Sequence, residues 1–246
     1  MIGLGVILLL NNFLLLGDFN ALNLLPLLLV VVGAVILLRG DLLPSSDMRT
    51  FGITRGSVES ATLEVNAGEI DVRVRPAQQE GRLIAGQFAL ASRPQMHVTE
   101  TYAHLQMDRS TTPWIAFTDW EMSLARDLPW QIFISTSLGQ VNLNLADLIL
   151  QEGTIASGMG DIRLISPRES LGVVHAQSTF GNIHVVTPLG FQTRITVRTG
   201  RFFKAHVDER RYEQIEPGIY LSLTADEDSP LVEIDVRGTF GDAYLT

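Results

Sequence analysis

The stretch "GMGDIRLI", Gly158–Ile165, decides how this chain folds. A glycine and an acid precede an alternating apolar run, which fits a calcium loop, a phosphate cradle or the corner before a strand. Looser copies recur as "AGEIDVRV" from Ala67, "LGQVNLNL" from Leu138, "FGNIHVV" from Phe180 and "FGDAYL" from Phe240. The turn glycines Gly139, Gly160 and Gly181 are 21 residues apart, Gly200 follows after 19, and Gly241 after a further 41, about two periods. A fixed period near 20 marks a stack whose rungs bury their apolar faces against each other. After Ser57 apolar and polar residues alternate with period two, as in Leu63 and Val65, Ile70 to Val74, Val141 to Leu145, and Ile162 with Leu164. Alternation of this kind reads as half-buried strands. The expected fold is all-β, a single-domain β-solenoid-like stack of short strands, with a β-sandwich as the alternative. "ATLEVNAGEIDVRV" reads as a hairpin, and the best helical candidate is the short Trp120–Leu128.

If each glycine turns a corner, the third residue after it faces outward. That row is Asp71, Asn142, Arg163, His184 and Tyr244, all polar or amphipathic. The Gly200 position breaks the pattern with Phe202 and Phe203, so that rung reads as irregular and the stretch to Tyr220 as leaving the stack.

The first 40 residues are nearly all Leu, Val, Ile, Ala and Gly, and the rest has ordinary polarity. Residues 1–16 and 21–38 are two apolar runs around the turn-like "GDFN", Gly17–Asn20. As helices they would span about 24 and 27 Å, near a bilayer core. Pro26 falls in the first turn of the second, where a missing N–H costs little. No basic segment or small-residue cleavage site marks a signal peptide. Residues 1–40 are therefore expected to form a two-pass transmembrane hairpin that contacts lipid, with a single tilted span behind an interfacial first segment as the alternative, 41–56 a linker, and 57–246 the β domain. Asn11, Asn12 and Asn23 are candidates for intramembrane polar contacts. Arg39, Arg49 and Arg55 at the exit, against Asp18 at the tip, place the β domain in the cytoplasm by loop charge.

The formal charge is −9, and Asp18 and Arg39 cancel within the leader, so the β domain carries it all. That argues against nucleic acid as a partner and against an electrostatic grip on anionic lipid. There are no cysteines, which removes disulfides and thiolate chemistry. Glu69, Gln140, Asp161, Asn182 and Asp242 follow the glycines singly and cannot supply the six to eight oxygens calcium takes. Asx turn chemistry explains them better. No P-loop lysine, His-x-x-x-His pair or Gly-x-Ser-x-Gly elbow is present. His175 and His184 could approach one another on neighbouring strands. No catalytic, cofactor-binding or metal-ligating residues are assigned, and no cofactor is expected. The candidate partner surface is the aromatic cluster Trp114, Phe117 and Trp120, for which capping the stack or packing in its core is the alternative, with the outward residues Asn142, Arg163 and His184.

The leader, "LLLNNFLLLGDFNALNLLPLLLVVVGAVILLR", resembles the membrane region of LiaI/LiaF-like cell-envelope stress proteins. "SATLEVNAGEIDVRV" and "LPWQIFISTSLGQVNLNLADLILQEGTIASGMGDIRLISP" are similar to the toast-rack domain and its LiaF C-terminal and adhesin-like relatives. The resemblance implies a non-enzymatic bacterial membrane scaffold or regulator acting through protein contacts, in some relatives on a sensor kinase that reports envelope damage. The alternative is a surface adhesin-like module, and a remote alternative is a glycan-cleaving β-helix enzyme. Self-association is a further expectation, because stack ends carry edge strands.

Overall fold

The structure is a computed structural model that describes residues 48–89, 94–109, 119–226 and 228–246. Those residues are all-β, with nineteen strands and no helix. In chain order the strands are β1 (Met48–Thr54), β2 (Ser60–Gly68), β3 (Val72–Pro76), β4 (Arg82–Ala89), β5 (Gln95–Thr99), β6 (Tyr102–Asp108) and β7 (Trp120–Leu124). They continue as β8 (Pro129–Leu138), β9 (Val141–Asn144), β10 (Ile149–Met159), β11 (Ile162–Ile165), β12 (Glu169–Ser170), β13 (Val174–Phe180) and β14 (Ile183–Val186). The last five are β15 (Gln192–Arg198), β16 (Phe203–Val207), β17 (Tyr212–Glu216), β18 (Ile219–Ser222) and β19 (Leu231–Leu245).

Each rung is a longer strand in one sheet, a sharp corner, and a shorter strand in the facing sheet. β8 pairs in parallel with β10, while their continuations β9 and β11 pair in the other sheet with Arg163 opposite Asn142. The alternating residues meet between the sheets: Leu63, Ile132 and Ile155 from one, Val72, Leu143, Leu164 and Val185 from the other, all at most 1% exposed. Burying one such side chain is worth about 1.5–3 kcal/mol, so a rung is held chiefly by its two neighbours.

β2 and β3 are such a rung and not a hairpin: β2 pairs with β6 and β8, and β3 with β7 and β9, all parallel. Period-two alternation suits both arrangements, because it records which face is buried and not which strand is the neighbour. Trp120–Leu128, the helical candidate, begins with strand β7, whose residues alternate buried and half-buried. The expected linker 41–56 contains β1, which pairs antiparallel with β4.

Stacking order departs from chain order at both ends. β2/β3 lies between β6/β7 and β8/β9, so the first rung is interior. β19 runs through both sheets and inserts between β13/β14 and β15/β16. The 41 residues from Gly200 to Gly241 therefore hold no further rung; they build a cap and then fill a gap. β17 and β18 form an antiparallel hairpin that closes one sheet beside β15. Tyr212 anchors it, its hydroxyl donating to Thr187 Oγ1 at 2.7 Å. Burial favours the neutral phenol and raises its pKa, against the Thr187 hydrogen bond and the Arg211 charge.

The Gly200 segment is not outside the stack: Lys204 lies opposite Asp242 and His206 opposite Tyr244. The residue in register with Gly241 there is the buried Phe203. Gly241 has φ +127°, and an added Cβ would meet the Gly181 carbonyl oxygen at 2.3 Å.

Candidate functional site

The glycine corners are architecture. Asp161 Oδ1 accepts the backbone N–H of Asn182 at 2.7 Å, Asn182 Oδ1 accepts that of Asp242 at 3.0 Å, and Asp71 Oδ1 accepts that of Gln140 at 2.7 Å. Each Asx side chain thus bonds the next rung and spends its oxygen on the protein. Among the described residues no group of three or more His, Asp or Glu is placed to hold a metal ion.

The outward row forms as one line across the sheet. Asn142, Arg163, His184, Tyr244 and His206 are in direct register over five successive rungs. His184 stacks on Tyr244 at 4.8 Å between centroids, and His206 stacks on its other face at 5.0 Å. His206 also lies 3.5 Å from Asp242. Arg163 is exposed and makes no ion pair among the described residues. The residue opposite Asn142 is Arg73 and not Asp71. The Gly68 corner is two residues longer than the others, which turns Asp71 into the corner ligand and advances the row to Arg73. Arg73 pairs with Asp119 at 3.0 Å.

Trp120 is not on the surface. It is fully buried opposite Val72; Trp130 is also fully buried, and its indole N–H donates to the Ala125 carbonyl at 2.8 Å. An outward Trp at the first position of β7 would reverse the burial of the whole strand, because the side-chain period is two. Trp114 and Phe117 lie outside the described residues, as do Asn11, Asn12, Asn23 and the whole expected hairpin. No helix among the described residues is long and apolar enough to cross a membrane. His175 does not approach His184; it sits in the other sheet opposite Asp235.

Two features were missed. The residue before Gly139, Gly160, Gly181 and Gly241 is apolar and exposed: Leu138, Met159, Phe180 and Phe240, joined by Phe202, between 39% and 55% exposed. The signal was present as a recurring apolar-Gly pair. The second is Asp235, 6% exposed on an outer face beneath Arg237 at 2.6 Å, Arg198 at 3.4 Å and His175 at 3.5 Å. Burial works against its charge, but the Arg237 hydrogen bond and the charges of Arg237, Arg198 and His175 outweigh it and hold the carboxyl below the ordinary range. A cleft of about 360 Å³ is lined by Ala77–Arg82 and 125–127. Of its two acids, Asp127 is taken by an ion pair with Arg55.

The model of the N-terminal domain of toast_rack, DUF2154, matches residues 45–170. No curated protein matches the chain. Among solved structures, the fold is similar to that of a "putative cell adhesion protein" from Clostridium sporogenes, with TM-score 0.68 and 15% identity over 80% of this chain and 97% of that one. A "putative adhesin" from Bacteroides fragilis aligns at TM-score 0.35 and 11% identity, over 82% of this chain and 99% of that one.

Proposed function

The chain belongs to the family of the N-terminal domain of toast_rack, and from that premise we propose a non-enzymatic, membrane-anchored scaffold that works by protein contact. The apolar leader holds it in the membrane as a two-pass hairpin, and the stacked sheets present a stiff face to a neighbouring membrane protein. The observation that carries this reading is the outward line Asn142–Arg163–His184–Tyr244–His206. Its side chains are unlike one another and stand at fixed intervals, as a recognition surface requires. The leader's resemblance to LiaI/LiaF-like proteins makes a sensor kinase of the envelope stress response the partner of choice, with the β domain in the cytoplasm.

A photoreactive amino acid at Arg163, in intact membranes, tests the contact. A discrete adduct with a membrane protein, lost when Arg73 and His184 are both changed to Ala, is the expected result. Absence of any adduct from Arg163, with the chain correctly membrane-bound, would refute it. The second reading is an adhesin-like module outside the cell, favoured by the similarity to the Clostridium sporogenes structure. A topology reporter fused after Thr246 separates the two, since activity on the outer side supports the adhesin.

A further inference from the structure

We propose that the corner ladder Leu138–Met159–Phe180–Phe240–Phe202 is a lipid-contacting edge that lays the β domain against an anionic bilayer surface. Register places Leu138 beside Met159, Met159 beside Phe180, and Phe180 beside Phe240. Phe202 completes the line, with Phe180 and Phe202 stacked on either side of Phe240 at 4.8 and 5.2 Å between centroids. Rungs repeat at about 4.8 Å, so the ladder runs roughly 19 Å along the corner. Monomers seldom leave an unbroken apolar line on their surface, and each of these five side chains remains between 39% and 55% exposed.

Shape and charge select the occupant. A corner is convex and one residue wide. Five half-exposed side chains offer on the order of 500 Å², short of the roughly 800 Å² per partner of a standard protein interface. A flat apolar phase accepts such a ridge without a matching groove. Arg198, Arg201, Lys204 and Arg237, all exposed, gather at the phenylalanine end. Arg201 lies over the Phe202 ring at 5.4 Å. The acids beside them are Asp235, buried under two of these arginines, and Asp242, opposite Lys204 and 3.5 Å from His206, so four cations stand against two acids. This end is therefore cationic on a chain of charge −9. Aromatic rings inserted at the acyl boundary with arginine or lysine reaching the headgroups is the chemistry of interfacial binding to anionic lipid.

This inference rests on the proposed membrane anchoring, and the experiment separates the two.

The cysteine-free chain accepts single nitroxide labels. Full-length protein is reconstituted into vesicles of phosphatidylcholine with phosphatidylglycerol, and into phosphatidylcholine alone. Labels stand at Thr179 beside the ladder, at Arg168 on the opposite corner, and at Val32 in the leader. Collisions with oxygen and with a water-soluble nickel chelate report depth. The Thr179 label is expected to show a several-fold higher oxygen-to-nickel ratio than Arg168 in anionic vesicles, and a smaller excess without phosphatidylglycerol. Changing Phe180 and Phe240 to Ser, both exposed and so compatible with folding, removes the excess while the thermal melt stays cooperative. A lipid-exposed Val32 label with an aqueous Thr179 label overturns the ladder's role alone. The reverse overturns the anchoring and keeps the ladder, and two aqueous labels overturn both.

Discussion

Asp161 receives the backbone N–H of Asn182 on its Oδ1 at 2.7 Å, 21 residues away in sequence and one rung away in space. The Gly-Asp pair that looks like a binding motif is thereby a crosspiece between rungs, and its chemistry is used up inside the fold. Replacing Asp161 by Ala should cost about 1–2 kcal/mol, since a corner N–H loses its acceptor. Asparagine should be nearly neutral, because Asn182 performs the same task one rung on. Chemical denaturation of the two variants measures the difference. Calcium should leave the melting temperature of the parent chain unchanged, as a ligand of the native state would raise it.

Gly160 and Gly200 should respond in opposite ways to alanine. Gly160 has φ +145°, and an added Cβ would lie 2.1 Å from the Gly139 carbonyl oxygen, which belongs to the neighbouring rung. Backbone cannot yield as a flexible side chain does, so a loss above about 3 kcal/mol is expected. Gly200 has open space around its Cβ position, and its substitution should change stability by less than about 0.5 kcal/mol. Paired melting curves provide the check.

Trp120→Ala should destabilise by about 3–5 kcal/mol, the usual cost of truncating a large buried aromatic. Phenylalanine should cost much less, because the buried Trp120 indole N–H has no hydrogen-bond partner among the described residues to lose. Equal stability of the alanine variant and the parent in a urea titration would contradict the core placement.

Asp235 links stability to acid. Its folded pKa lies below the ordinary value, so its contribution is in full above an unfolded pKa of about 3.9 and fades as pH falls through the folded one. Asp235→Asn should therefore destabilise near neutrality by about 1–3 kcal/mol, and progressively less as the pH falls through the lowered folded pKa and the parent carboxyl takes up its own proton. Tyr212 works in the other direction. Its raised pKa makes its contribution complete below about pH 10 and lost above the folded pKa. Tyr212→Phe should cost about 1 kcal/mol through the lost bond to Thr187.

What the sequence discloses here is whatever every rung must repeat. A parallel stack puts the same corner in the same place each turn, so Gly160, Gly181 and Asp161 are legible from spacing, and so is the line Asn142, Arg163 and His184. Neighbour identity is not legible. Alternation in β2 and β3 says which residues are buried but not that the first rung slides between the second and third. Nor does it show that β19 fills a gap left earlier in the chain. The shift from Asp71 to Arg73 comes from two extra corner residues with no periodic signature. Trp120 misleads because a bulky aromatic suits an interface or a core, and only its partner Val72 decides. Phe180 and Phe240 are visible before their glycines, yet their exposure at the corner is not something composition carries.

The order of the rungs determines which side chains share the outward face, and a short crosslink reads it directly. Cysteines at His184 and Tyr244, in an otherwise cysteine-free chain, should be joined rapidly by a reagent of about 5 Å span, the spacing of adjacent strands. Cysteines at His184 and His206 should not, because Tyr244 stands between them. Rapid linkage of His184 to His206 and none to Tyr244 would mean that the rungs stack in chain order, and would contradict the outward line on which the proposed contact rests.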